Sequence, residues 1–433
     1  MILIVGMMKD MKGRQKMVML RKKTNRFWKI SLTEKNKKPL RLIMISIIAL
    51  MLAGCSDKTP RMSDIEITTV DNEVYSSSQK DFDDIENIEV IYGDICDKTE
   101  HTSDSLEEIR SIVNQLGRNG YAAVDSENQI DMVCAEQIKQ FCRQVKAQEE
   151  AEETLVVVIS ESSFIRYAFT TKDGNVKVKY SYCRYEGGYW ETAGTNTYPA
   201  YTWVYSDEGY LFFEEYHMPG FDGPSGHTAV RVEPLDETCR ELNRKYLRTI
   251  GYELNNLFTS DWSEDDFLEL NFYDIYEVLY QIKNERYPAS FLKEGQNYEI
   301  PSSEFESVFQ TFFRIDAQVL QQYTIYHEDT RTYQYRTRGM FDFAPTPYIP
   351  YPEVISYEEN PDGTVKLMVN AVWAEKSLEK AFFHEVIIRP LDNGGFQYVS
   401  NHVIPSENNV EITWYRERLT DEQWQEYYGE MQR

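Results

Sequence analysis

From about residue 105 onward, apolar positions recur first at helical spacing and then at every second residue, and this order occurs twice. Ile109, Ile112, Val113 and Leu116 form the first helical stripe, with Ser105 and Glu108 in capping-box register before it and Gly117 after it. Ile130, Val133, Cys134, Ile138, Phe141, Cys142 and Val145 predict a second helix over residues 129–149. The period then falls to two. Leu155 to Ile159 reads as a buried strand, and Lys172-Asp-Gly174 marks a hairpin between 164–171 and 176–182. Another hairpin spans 201–216 around Ser206 to Gly209, and a strand follows at 227–232. A short strand at 88–91 is expected to open this part. Asp236 is placed to cap a helix reaching Arg248 and closed by Gly251, and Phe272, Ile275, Tyr276 and Leu279 predict another.

The plan then repeats. Ser303 and Glu306 sit in capping-box register ahead of Val308, Phe309, Phe312 and Phe313. A strand through Tyr333 and Tyr335 and a proline-rich loop over 345–352 follow. A meander of four strands at 354–358, 365–373, 381–389 and 396–403 comes next, with turns at Asn360 to Gly363 and Asp392 to Gly395. A short helix starts at Thr420-x-x-Gln423. The expected class is α+β, as two domains of helices packed on an antiparallel meander, a shape that resembles nuclear-transport-factor-2-like and cystatin-like folds. The expected boundaries are 86–235 and 301–433, joined by a helical bridge over 236–300.

The front of the chain differs. The first 54 residues hold 13 of the 46 Lys and Arg and two of the 71 acids, a charge of +11; the other 379 residues carry 33 bases against 69 acids, −36. Leu42 to Ala53 is a run of twelve residues with only Ser46 polar. A spanning helix needs about 20 apolar residues, so the run is short for one and suits the core of a signal peptide. Leu52-Ala-Gly-Cys55 directly after it resembles the lipobox of bacterial lipoproteins. That resemblance makes Cys55 the lipid attachment site, residues 1–54 the signal peptide and the polar stretch 55–85 a tether. From the lipobox onward the chain also resembles an uncharacterised family of lipoproteins from Gram-positive, Clostridia-type bacteria. Three strings carry the likeness: His217 to His227 (HMPGFDGPSGH), Pro234 to Tyr246 (PLDETCRELNRKY) and Asp392 to Ile404 (DNGGFQYVSNHVI). It implies a location and no chemistry.

Charge narrows the partners. A mature chain at −36 repels nucleic acid and anionic lipid headgroups, so contact with the membrane is expected through the N-terminal lipid alone. Cys96, Cys134, Cys142, Cys183 and Cys239 form no CxxC pair, and free thiols are expected. No P-loop, GxSxG, SxxK or GxGxxG string is present.

Candidate chemistry is sparse. Glu214 to His227 packs three Gly, two Pro, two His and three carboxylates into fourteen residues, and His217, Asp222 and His227 are candidate ligand-binding residues there. Two imidazoles flanking a carboxylate could chelate zinc. The stiffening prolines, and the expectation that Glu214 and Glu215 point to opposite strand faces, argue for an ordered loop without bound metal. His384 and His402 are the second pair, facing each other if the intervening loop has three residues. Arg240, Arg244 and Arg248 fall on one helix face and are expected to pair with the chain's own acids rather than with an acidic partner. Exposed-looking aromatics at Gly187 to Trp190 and Tyr348 to Tyr351 raise glycan binding. No cofactor is expected. The resulting expectation is a non-enzymatic lipoprotein that binds an extracytoplasmic protein or glycan ligand. The alternative is a hydrolase of cell-wall glycan or peptide.

Overall fold

The computed structural model describes residues 84–93, 105–221, 223, 225–287, 296–339, 341–342 and 348–428. The apolar run, Cys55, nearly all of the expected tether, Cys96 and Asp222 lie outside these residues. The described residues from Ile88 onward form one compact unit. Its architecture is α+β, as expected.

The first half opens on helix α1 (Leu106–Arg118), where Ser105 and Glu108 make both bonds of the capping box. Strand β1 (Ala122–Asp125), helix α2 (Ala135–Ala147), and strands β2 (Ala151–Ser160), β3 (Ser163–Lys172), β4 (Asn175–Glu186) and β5 (Tyr189–Pro199) follow. They form one sheet in the order β1-β2-β3-β4-β5, antiparallel except that β1 runs parallel to β2. The β3–β4 hairpin turns where expected, with Asp173 and Gly174 both at positive φ. A second sheet comprises β6 (Thr202–Tyr205), β7 (Tyr210–Glu214) and β8 (His227–Arg231). Residues 88–93 are helical rather than extended, because Ile88, Ile91 and Tyr92 are buried at helical spacing. The parallel strand β1 and the strand β5 were not foreseen.

The second half contains helix α3 (Glu237–Leu242), strand β9 (Trp262–Ser263), helix α4 (Phe272–Asn284), strand β10 (Asn297–Pro301), helices α5 (Ser302–Phe312) and α6 (Ala317–Tyr323), and strands β11 (Ile325–His327) and β12 (Thr332–Arg336). Strands β13 (Tyr351–Glu359), β14 (Val365–Val372), β15 (Phe383–Pro390) and β16 (Phe396–Val403) form the meander, β9 extends it beyond β16, and helix α7 (Asp421–Tyr428) comes last. The Ser303–Glu306 box does not form. The helix starts at Ser302, and Glu306 accepts the Tyr333 hydroxyl at 2.9 Å instead. The stretch 236–300, expected as a bridge, is built into the second core, which includes Cys239, Tyr246, Phe258, Leu279 and Ile300.

Among the described residues, two large hydrophobic cores stand out. The smaller gathers Phe141, Leu155, Tyr167, Phe169, Leu211 and Phe213; the larger gathers Tyr276, Phe305, Phe309, Tyr333, Val369 and Trp414. Strand β7 joins them. Successive side chains on a strand alternate between faces. Leu211 and Phe213 therefore enter the smaller core, while Tyr210 and Phe212 meet Val372 of the meander. The seam is also polar. Glu353 accepts from the Tyr210 hydroxyl at 2.6 Å and from Arg231 at 2.5 Å. The arginine stripe pairs within the chain: Arg240 with Asp131 at 2.7 Å, Arg244 with Glu237 at 3.0 Å, and Arg248 with Glu127.

Candidate functional site

Strand β7 is buried along its length and surfaces at Glu214. Its partner β8 begins at His227, which lies directly opposite Glu214. Opposed residues of an antiparallel pair share a face, so carboxylate and imidazole meet there, with Glu214 Oε1 3.7 Å from His227 Nδ1. That distance permits attraction and is too long for a hydrogen bond. Thr202 donates its hydroxyl to Glu214 Oε2 at 2.9 Å.

The described residues between the strands fold back on themselves. Glu215 N–H donates to the Gly226 carbonyl at 3.0 Å, and Phe221 N–H to the Met218 carbonyl at 3.1 Å, with Gly220 at φ +87°. Gly226 is required by close approach, since a Cβ there would lie 2.2 Å from the Glu215 carbonyl oxygen. Asn196 donates its amide to Glu215 Oε1 at 2.6 Å, and His217 Nε2 sits 3.7 Å from the same oxygen. The His217 ring lies against Phe221 with centroids 4.1 Å apart; the His227 ring meets Tyr348 edge-on at 5.4 Å.

These residues enclose a cavity of about 200 Å³, lined by Glu214, Glu215, His217, Phe221, His227 and Tyr348 among others. Of the ten described residues that line it, nine come from the 214–227 stretch and one, Tyr348, from the second half. Strand β8 abuts the turn at 374–376, and the charges of Glu375 and Lys376 act on His227. Burial pulls the His227 pKa below its usual value, against the upward pull of Glu214. The imidazole is therefore neutral at pH 7. The side chains of Glu214, Glu215, His217 and His227 stay 18–28% exposed, so a ligand can reach them.

Glu214 and Glu215 were expected on opposite faces. Both line the cavity, because the strand ends at Glu214 and the alternation stops with it. His217 and His227 share the site, and the described structure sets each against a carboxylate and an aromatic ring.

His384 and His402 are not brought together. At the turn, Pro390 pairs with Phe396, the register that would set the two histidines opposite each other. A bulge at Val399 then shifts the pairing by one, so His384 faces Val403 and His402 faces Glu385. A one-residue slip moves side chains to the other face. His384 is fully buried between the Tyr252 hydroxyl and Asn401, whereas His402 is exposed beside Asp261 at 3.3 Å. Among the described residues, no three His, Cys, Asp or Glu side chains converge to hold a metal ion. Nor is any helix among them long and apolar enough to cross a membrane. Cys134, Cys142, Cys183 and Cys239 are free thiols.

Sequence reasoning marked the 214–227 stretch by its density of His, Gly and carboxylates. It could not attach Tyr348, more than a hundred residues away, and no local signal would have done so. No curated protein and no solved structure matches the chain. The model of a family of unknown function, DUF6070, matches residues 76–418, and the chain belongs to that family.

Proposed function

We propose that the protein is a lipid-anchored binding protein at the outer face of the cytoplasmic membrane, with the cavity between Glu214 and His227 as its ligand site. The single observation that carries the reading is that cavity. It is concave, walled by rings, and holds a few reachable polar groups at the meeting of two cores, the setting ligand pockets favour. Among the described residues, the lining includes no serine, threonine or cysteine nucleophile. Glu214 and Glu215 are each engaged by a neutral donor and a neighbouring imidazole, which suits recognition. Support for the anchor is the basic lead, the twelve-residue apolar run and Leu52-Ala-Gly-Cys55. Two acyl chains on Cys55 would give stable residence, where a single chain gives marginal binding.

Three measurements test the proposal. Membrane fractionation should find the wild type with the membrane and Cys55→Ala in the medium or as uncut precursor. Mass spectrometry should find the mature N-terminus at a lipidated Cys55, and any other start defeats the anchor. Thermal-shift screening of the full chain against small sugars, amines, amino acids and dipeptides should give hits that disappear in the His217→Ala, His227→Ala double variant. Hits that persist there place binding elsewhere. Release of product from any of these compounds would instead favour a hydrolase.

A further inference from the structure

The contents of the cavity indicate a class of ligand, an inference that rests on the cavity being a ligand site. Glu214 and Glu215 line it, and among the described residues no Lys or Arg does. Each carboxylate accepts from a neutral donor, Thr202 at 2.9 Å or Asn196 at 2.6 Å, and neither donor cancels a charge. Their histidine neighbours stand off at 3.7 Å, and burial keeps His227 neutral. Lys376, whose field reaches His227, is drawn elsewhere: its ammonium lies 3.5 Å from Glu375 and 5.5 Å from the Trp373 ring centre. The site thus offers negative charge without a resident counter-ion in its lining.

The apolar wall agrees with this. Phe221 and Tyr348 present rings to the same space, braced by His217 and His227. A ring face carries negative potential and attracts a cation, most strongly one that sheds its water easily. Of the cations, a metal ion needs closely converging ligands, which the described residues do not supply. A volume of about 200 Å³ also falls below the roughly 300–1,000 Å³ of sites for drug-sized molecules, so it suits a head group. We infer that the cavity takes the alkylammonium or quaternary ammonium head of an organic ligand, with Glu214 and Glu215 supplying charge and Phe221 and Tyr348 supplying ring faces. Met218, 74% exposed at the rim, borders the rest of such a ligand.

Calorimetry on the full chain tests this with choline, with dimethylbutanol as its uncharged isostere of the same shape, and with N-acetylglucosamine as a neutral sugar. Choline should bind at least about tenfold more tightly than the isostere. Glu214→Gln should weaken choline about tenfold and leave the isostere unchanged. Its melting temperature should stay near wild type, because glutamine still accepts from Thr202; Glu215→Gln is the second variant should it not. Equal affinity for choline and its isostere overturns the cation inference and leaves the cavity a ligand site. Sugar binding that Glu214→Gln abolishes, without choline binding, does the same. Failure of all three probes to bind, with the Met218 methyl resonance unmoved, overturns the cation inference and counts against the cavity as well.

Discussion

Lowering the pH from 7 to 4 should weaken the larger core through one residue, His384. Its ring has no exposed surface. The Asn401 amide nitrogen donates to the Ser260 carbonyl at 2.7 Å, which turns the Asn401 oxygen toward the imidazole. His384 Nδ1 therefore carries the proton and donates to that oxygen at 2.7 Å, and Nε2 accepts from the Tyr252 hydroxyl at 2.9 Å. A second proton would force the Tyr252 hydroxyl to turn its own hydrogen away from Nε2, and burial of the charged ring pulls the pKa down to about 4. The unfolded imidazole titrates near 6.5. Between those values the unfolded chain binds a proton that the folded chain refuses, so stability falls as pH drops through 6.5 and levels off near 4. At about 1.4 kcal/mol per pH interval, the loss is roughly 3 kcal/mol. Urea unfolding followed by tryptophan fluorescence at stepped pH reads it, comparing wild type with His384→Gln. Burial raises the pKa of Asp342, Glu277 and Glu353, which pushes stability the other way in acid, but these contributions are common to both proteins. The wild-type advantage over the variant should shrink by most of that amount by pH 4.5. An advantage constant from pH 7 to 4.5 would refute a neutral, dry imidazole.

Gly226→Ala should cost about 1–3 kcal/mol, because its Cβ would press on the Glu215 carbonyl oxygen at 2.2 Å. Calorimetric melting measures the loss, and the same variant should lose ligand at the cavity. Asp274 is fully buried and receives Arg338 at 2.6 Å, Arg418 at 2.7 Å and the Tyr415 hydroxyl at 2.9 Å. Asp274→Ala leaves Arg338 buried without its carboxylate and Arg418 with Glu277 alone, and should cost about 3–5 kcal/mol in urea unfolding, detaching the segment around residues 414–418 first.

Legibility in the sequence followed locality. The Ser105–Glu108 and Thr420–Gln423 capping pairs form as read, because each needs only its own turn. Ser303–Glu306 has the same spacing and fails, because the helix already starts at Ser302 and Tyr333, far along the chain, donates to the glutamate. Strand β1 went unseen because four buried residues show no alternation. The bulge at Val399 adds one residue to β16 and leaves no mark in composition, yet it separates His384 from His402. Glu214 to His227 stood out because glycines and histidines crowd one short loop. That Glu215 joins Glu214 in the cavity depends on where β7 ends, and Tyr348 reaches the cavity only through the packing of the second half.

Methyl NMR at Met218 tests the ligand-site claim most directly, since this side chain lines the cavity and is 74% exposed. The full chain, labelled at its methionine methyls, is titrated with choline, N-acetylglucosamine, D-alanyl-D-alanine and acetate. The expected result is a saturable shift of the Met218 resonance with at least one of these compounds, absent in Gly226→Ala and unaccompanied by product. A saturable response at other methionines with Met218 unmoved, or a Met218 shift that survives Gly226→Ala unchanged, would contradict the assignment of the ligand site to this cavity.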